Sequence, residues 1–205
     1  MKKGEQTRAA IVEVAQSLAA RDGLEGLTIG SLAERMQMSK SGVFAHFGSR
    51  EDLQISVLKA HERDFVDAVL VPSLTQPRGL DRLRAMFALW LERTAIEAAI
   101  GCIWISGATE YDDRPGAVRD VLVAMVQSWQ TELTRAISQA VEAGELIADL
   151  DPLDLVFELH GVVLALHHDA RLLKSPGSIR RATRSFERII ESYRASAPAT
   201  SRHLF

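Results

Sequence analysis

The stretch from Leu27 to Leu53 reads LTIGSLAERMQMSKSGVFAHFGSREDL, and it decides the fold of this chain. Thr28 and Ser39 are residue types that cap helix N-termini, and each precedes a short run with apolar residues at helical spacing. Gly48 is a residue type that ends helices, and Ser49 then caps a further helix with acidic residues in its first turn. The stretch therefore predicts two short helices joined by a turn of about three residues and followed by a longer helix.

A further amphipathic helix is predicted before this stretch. Ile11, Val14, Ala15 and Leu18 follow the i, i+3, i+4, i+7 pattern, which stops at Gly23. A long helix behind two short helices is the layout of a helix-turn-helix, in which the second short helix lies in the DNA major groove. Neighbouring helix N-termini bind phosphates in that arrangement.

The outward side of the second short helix carries residues suited to DNA. They are Lys40, Ser41, Gly42, Phe44 and His46. Lys40 supplies a charge for a phosphate or a guanine edge, Ser41 can hydrogen-bond to either, and Gly42 lets the backbone approach closely. Arg50, in the first turn of the next helix, suits a phosphate contact.

The same stretch resembles the tetracycline-repressor (TetR) family over roughly residues 8 to 55. A threonine opens the first short helix, the second ends in His-Phe, and a small residue, Ser, a basic residue, Glu, an acidic residue and Leu follow. The resemblance implies DNA contacts from Thr28, Ser39, Lys40, Ser41, Gly42, Phe44, His46 and Arg50. The chain departs from the family at three of these positions. The family often has Gly and Thr in place of Ser41 and Gly42, and a phosphate-binding Tyr in place of Phe44.

The rest of the chain shows helical spacing and no alternation long enough to predict a strand. A loop is predicted at 72–79, followed by helices at about 80–98, 102–109, 115–143, 152–173 and 177–195. The sequence thus predicts an all-α protein of about nine helices. We expect an N-terminal helix-turn-helix domain at 1–50 and a C-terminal helical bundle at 51–205.

Large aromatic and polarizable residues concentrate in the central helices, where they could line a ligand cavity or form an ordinary core. The family resemblance implies a C-terminal domain that binds a small effector, often between its central helices. Candidate pocket residues are Phe87, Trp90, Cys102, Trp104, Tyr111, Met125 and Trp129. A buried, inert thiol is the preferred interpretation of Cys102, because no basic residue stands near it in sequence.

The last two predicted helices carry apolar stripes that could form either a dimer interface or part of the core. The segment Leu153–Leu166 is almost wholly apolar, so its helix is predicted to be buried on more than one face. The resemblance implies a homodimer with a four-helix interface, and a dimer would read half-sites about 34 Å apart. Candidate interface residues are Leu159, Val163, Leu166, Phe186, Ile189, Ile190 and Tyr193.

No metal site, cofactor or enzyme activity is predicted. His160, His167 and His168 fall on a similar helix face, but no Glu-x-x-His motif accompanies them, so a structural or interface role is preferred. Hydrolase, phosphate-loop and dinucleotide motifs are also lacking in the sequence.

The composition is that of a globular protein, with 47% hydrophobic and 25% charged residues in 205 positions. A net charge of −3 means that DNA binding must depend on a few well-placed cations. One cysteine, no long apolar run and no secretory signal favour a cytoplasmic protein without a membrane partner.

These observations predict a homodimeric, one-component transcription regulator that binds a roughly palindromic double-stranded DNA operator. Repression is the predicted action, relieved when a small-molecule effector, unidentified by the sequence, favours a tilt of the fourth helix. One alternative is an all-helical enzyme. Another is a helical ligand-binding or adaptor protein that has lost specific DNA binding, an alternative that Gly42 and Phe44 keep open.

Overall fold

The computed structural model describes residues 3–195, which form nine helices and one isolated β-bridge between Leu146 and Arg194. The helices are α1 (Lys3–Asp22), α2 (Ile29–Arg35), α3 (Lys40–Phe47), α4 (Arg50–Phe65), α5 (Leu80–Ile100), α6 (Ile103–Tyr111), α7 (Ala117–Glu142), α8 (Pro152–His167) and α9 (Ser178–Ser192). The predicted all-α class is confirmed.

The predicted caps define the helix-turn-helix. Thr28 forms a reciprocal capping box with Ser31 at the start of α2. The Ser39 hydroxyl accepts from the Gly42 N–H at 3.0 Å, and α3 ends at Gly48, whose φ of 77° suits glycine. Local side-chain hydrogen bonds therefore set both helix starts.

The loop after α4 begins later than 72, contrary to the sequence prediction. The helix continues through a π-helical turn (Val66–Leu70) and a last turn (Val71–Ser73) that contains Pro72. The Val71 N–H bonds to the Val66 carbonyl five residues earlier, which changes the hydrogen-bond register before the proline. Because Pro72 stands at the start of the following turn, its missing N–H does not stop the chain from remaining helical.

Two buried apolar clusters share the long helix α7. One joins α1, α2, α3 and the first half of α4 to inner residues of α6 and α7. The other joins α5, α8 and α9 to the second half of α7. Helices α1 and α4, which flank α2 and α3, both contact α6, and α4 also contacts α7. A boundary at residue 50 therefore separates residues that share one core.

Helix α8 is buried on its inner face and apolar on its outer face. Leu155 and Leu159 are fully buried, whereas Leu153, Phe157 and Leu164 are 63%, 80% and 45% exposed in the single chain. The expectation of burial on more than one face is therefore not met within one chain. No helix in the described part combines the length and hydropathy needed to cross a bilayer.

Candidate functional site

Helix α3 presents a polar and aromatic surface to solvent. Val43 and Phe47 are buried against the core, which turns Lys40, Ser41 and Phe44 outward. The phenyl ring of Phe44 is 52% exposed. Three of the five predicted α3 candidates are thus exposed to solvent, whereas Gly42 and His46 are half-buried.

Lys40 extends from α3 to the first turn of α2. A Cβ built on Gly30 would lie 3.7 Å from both the Lys40 Nζ and the Thr28 Oγ1. N–H groups in the first turn of a helix have no intrahelical acceptor, and the helix dipole makes that end positive. The ammonium and the α2 N-terminus therefore form one small patch suited to a phosphate.

Two of the other candidates serve first as helix caps. The hydroxyl of Thr28 accepts from the Ser31 N–H at 3.1 Å, and the Ser39 hydroxyl lies 3.2 Å from that of Ser41. His46 is half-buried, with its ring edge towards Phe47. Thr28 and Ser39 thus stabilise the starts of α2 and α3, and Thr28 also lies close to Lys40.

Arg50 forms hydrogen bonds within the chain, which its position in the sequence does not predict. Its Nε donates to the Leu27 carbonyl at 2.9 Å, and its Nη2 donates to the Glu25 carbonyl and lies 3.4 Å from the Glu25 carboxylate. Arg50 thereby fastens the start of α4 to the α1–α2 loop. A phosphate contact from Arg50 stays a prediction.

A cavity of about 380 Å³ lies among helices α4 to α8. Its wall includes all three tryptophans of the chain and one phenylalanine: Trp90, Trp104, Trp129 and Phe65. Trp129 meets Trp90 and Phe65 edge to face, with ring centroids 5.3 and 4.9 Å apart. The wall also contains Thr94, Glu97, Cys102, Ile105, Ala108, Thr109, Asp112, Val126, His160, Val163 and Leu164.

Four of the seven predicted pocket residues line this cavity: Trp90, Cys102, Trp104 and Trp129. Phe87 instead stacks on Phe186 in the core, with centroids 4.1 Å apart, and Met125 is buried in the cluster beneath the helix-turn-helix. Tyr111 lines an adjoining cavity of about 280 Å³. Phe65, Thr94, Glu97 and His160 also line the wall, although the sequence did not predict them as pocket residues.

The charged groups of the wall are acidic. Glu97 is buried and accepts a 2.6 Å hydrogen bond from Arg93, while Asp112 is exposed. None of the described residues that line the cavity is Lys or Arg. The His160 Nδ1 is buried without a hydrogen-bond partner, and burial lowers the pKa of His160, so its imidazole is neutral near pH 7.

Helix α6 connects the cavity wall to the helix-turn-helix. Residues 104–109 contribute to the wall, and the two residues after them hold the α1–α2 loop. The carboxylate of Glu110 accepts from the Glu25 N–H at 2.8 Å, and the hydroxyl of Tyr111 donates to the Glu25 carboxylate. Burial, followed by the bond to Glu25, raises the pKa of Tyr111 to about 12, so the phenol keeps its proton.

The candidate dimer residues divide into two groups. Five are buried in the chain's own core and cannot contact a partner in this conformation: Leu159, Val163, Leu166, Phe186 and Ile190. Ile189 and Tyr193 are half-buried, and the Tyr193 hydroxyl donates to Glu158 at 2.9 Å. The accessible apolar face of α8 consists instead of Leu153, Phe157, Gly161 and Leu164.

Two family models match the sequence. The model of the tetracyclin repressor-like C-terminal domain matches residues 79–186, and the model of bacterial regulatory proteins of the tetR family matches residues 11–57. None of the curated proteins matches the chain.

Solved structures with the same fold include regulators with bound ligands. A TetR transcriptional regulator from Chloroflexus aurantiacus J-10-FL has a TM-score of 0.86 at 21% identity, covering 96% of this chain and 100% of that chain. A protein from Saccharomonospora viridis in complex with choline has a TM-score of 0.77 at 19% identity, covering 94% and 100%. AibR in complex with isovaleryl coenzyme A and operator DNA has a TM-score of 0.68 at 24% identity, covering 93% and 99%.

Proposed function

Because the chain belongs to the tetracycline-repressor (TetR) family of bacterial regulatory proteins, we propose that it is a one-component repressor released from its operator by a small molecule. Members of this family bind DNA to regulate transcription, so the chain is a transcription regulator and not an enzyme. One observation carries the proposal. Helix α6 lines the cavity through residues up to Thr109, and the next residue, Glu110, accepts a hydrogen bond from Glu25 in the α1–α2 loop.

The DNA-binding surface consists of α3 and the N-terminus of α2. Helix α3 enters the major groove, where Lys40, Ser41 and Phe44 face the DNA. The patch formed by Lys40 and the α2 N-terminus binds a backbone phosphate. A homodimer presents two such surfaces to an inverted repeat.

The effector has an apolar body and is neutral or cationic. Aromatic rings dominate the cavity wall and favour flat or apolar groups, while the faces of tryptophan rings also attract cations. Asp112 disfavours an anionic ligand, since no Lys or Arg stands among the described residues that line the cavity, whereas the charge of Glu97 is offset by its 2.6 Å ion pair with Arg93. The unpartnered His160 Nδ1 offers a hydrogen bond that would orient the ligand.

Release follows from a shift between two conformations. An effector that fills the cavity pushes on α6 through Trp104 and on α4 through Phe65, and both helices hold the helix-turn-helix. The two α3 helices of a dimer then lose the spacing of the operator half-sites. To raise the released fraction from 1% to 99%, the effector must bind the released conformation about 10,000-fold more tightly.

The operator experiment uses the purified chain without effector. Sheared DNA from its own genome is incubated with the protein at physiological salt, and the bound fragments are sequenced. We expect a few sites that share one inverted repeat. Absence of such sites, both without ligand and with a ligand shown to bind, would favour the alternative of an adaptor without specific DNA binding.

Lys40→Ala tests the phosphate patch on the recovered operator. We expect weaker operator binding. The slope of the logarithm of the binding constant against the logarithm of the salt concentration should also be shallower by about one unit, because one phosphate contact is lost. Lys59→Ala removes an exposed lysine from α4 and should change neither quantity. Equal effects of the two variants in titrations at several salt concentrations would remove Lys40 from the interface.

Ala108→Phe tests the cavity. Ala108 is exposed where the two adjoining cavities meet, so a phenyl ring there should block ligand entry without overpacking the core. All three tryptophans line the cavity, and ligands can therefore be screened by quenching of intrinsic fluorescence. We expect at least tenfold weaker ligand binding in Ala108→Phe and no change in Ala99→Phe, at an exposed position of α5 outside the lining. A ligand that binds both variants equally would lie elsewhere.

A further inference from the structure

Three buried polar side chains from separate elements meet at the edge of the cavity. His61 lies on α4, Glu97 lies in the last turn of α5, and Cys102 precedes α6. They are 4%, 5% and 5% exposed, and one ligand atom from each lies within 4.8 Å of the others. Glu97 and Cys102 also line the cavity, but the proposed repressor mechanism assigns no role to His61 or to this His-Glu-Cys cluster as a unit.

The imidazole of His61 contributes a nitrogen without a hydrogen bond to the cluster. Its Nε2 is buried without a hydrogen-bond partner and lies 3.7 Å from the Glu97 Oε1. The ring is held edge to face against Trp104, with centroids 5.2 Å apart. A buried nitrogen without a hydrogen bond costs free energy, which binding of a ligand would recover.

We propose that the His-Glu-Cys cluster binds a zinc ion through His61, Glu97 and Cys102. Imidazole nitrogen, carboxylate oxygen and thiolate sulfur are the three ligand types of zinc in proteins, at about 2.0–2.3 Å. The thiolate disfavours Mg²⁺ and Ca²⁺, which prefer oxygen ligands. Since Glu97 and Cys102 also line the cavity, a water or an effector group supplies the fourth ligand from there.

Zinc binding at the cluster exchanges a proton for the metal, because a thiol becomes a zinc ligand only after it loses its proton. The step forms the Zn–S bond and releases the thiol proton to solvent, while His61 binds through the lone pair of its unpartnered Nε2. No oxidant or reductant is needed.

A bound ion would join α4 to the junction of α5 and α6. Ligand atoms around a tetrahedral zinc lie roughly 3.3–3.7 Å apart, so the cluster contracts by on the order of 1 Å. The effect of this contraction on operator binding rests on the proposed function, whereas metal binding does not. The test below is therefore made without DNA.

The experiment titrates Co²⁺ into the chelator-treated full chain and follows its absorption spectrum. We expect one Co²⁺ per chain, the intense visible bands of a four-coordinate site and a thiolate-to-cobalt charge-transfer band, all lost when Zn²⁺ is added. Zn²⁺ affinity is then obtained from the displacement. A wild-type spectrum without the thiolate band would overturn the proposal.

Variants assign the ligands. Cys102→Ser should remove the thiolate band, and both Cys102→Ser and His61→Gln should weaken Zn²⁺ binding at least tenfold. His168→Gln, which alters an exposed histidine outside the cluster, should bind like the wild type. Circular dichroism shows whether each variant is folded. If one of the two ligand variants does not fold, the other tests the site by itself. A folded Cys102→Ser or His61→Gln with unchanged Zn²⁺ affinity would contradict the site.

Discussion

At the scale of the residue, Phe44 occupies the centre of the proposed DNA-binding surface without a polar group. Its ring is 52% exposed on α3, between Lys40 and His46 in sequence, and the family often has a tyrosine there. An exposed phenyl ring can contact a thymine methyl group or a sugar but cannot donate to a phosphate. We therefore expect the chain to depend more heavily on Lys40 and the α2 N-terminus for its contacts with the DNA backbone.

Phe44→Tyr should strengthen operator binding. One added hydrogen bond to a phosphate is worth about 1 kcal/mol, or roughly fivefold in the dissociation constant. The dependence on salt should stay unchanged, because a neutral hydroxyl releases no counterion. Titration of wild type and variant at several salt concentrations measures both quantities, and an unchanged affinity would mean that the ring at position 44 does not face a phosphate.

Arg50 shows how one residue can have a different role from the one its type suggests. An arginine in the first turn of a helix is well placed for a phosphate, yet the Arg50 guanidinium bonds to the carbonyls of Leu27 and Glu25. The lowered pKa of Glu25, caused mainly by the bond from Tyr111, keeps that carboxylate charged beside Arg50. Arg50 thus helps to connect α4, the α1–α2 loop and α6.

At the scale of the element, the turn between α5 and α6 determines how closely α6 approaches the helix-turn-helix. Gly101 has a φ of 115°, and a Cβ built there would lie 1.6 Å from the Ala20 carbonyl oxygen near the end of α1. Cys102, the next residue, lines the cavity. Close contact of backbone with backbone at Gly101 therefore joins the cavity wall to α1.

Gly101→Ala should be strongly destabilising, lowering the free energy of unfolding by more than about 4 kcal/mol. Backbone strain and the clash with Ala20 add together. Gly116 is the matched control, because its φ is 145° and a Cβ there meets nothing within 4 Å. Gly116→Ala should cost only the strain, about 1–3 kcal/mol. Chemical denaturation measures the difference, and similar losses for the two variants would show that α1 and the turn can separate at little cost.

At the scale of the whole molecule, the single chain leaves an apolar face of α8 uncovered. Leu153, Phe157 and Leu164 lie on this face and are all exposed. Large contiguous apolar surfaces usually mark sites of association. We propose a second copy of the chain as the occupant of this face, because an operator with two half-sites needs two recognition helices about 34 Å apart.

Phe157→Asp should convert the proposed dimer into monomers. Phe157 is the most exposed of these side chains at 80%, so the charge should not disturb the core of the single chain. Leu74→Asp places the same charge at a 48% exposed leucine in the α4–α5 loop and should leave the dimer intact. Sedimentation at micromolar concentration distinguishes the species. A dimeric Phe157→Asp would place the interface elsewhere.

The sequence by itself determined the helices and the helix-turn-helix, because their signals are local. Thr28 and Ser39 cap the helices that follow within three residues, and the family signature lies within one continuous stretch. It also identified the tryptophans of the cavity, since aromatic residues stand out in helices. It did not distinguish the location of Trp90 from that of Phe87. The two residues share a helix, but Trp90 lies on the cavity wall and Phe87 lies in the core.

Only the tertiary structure decided which side chains meet across the molecule. Three features depend on how helices distant in sequence pack. They are the hydrogen bonds of Arg50 to Leu27 and Glu25, the cluster of His61, Glu97 and Cys102, and the exposed outer face of α8. Helical periodicity states that a residue faces inward, and does not state which other helix it meets. The orientation of each helix is set by the summed burial of apolar surface over the whole chain, a property that no local stretch contains.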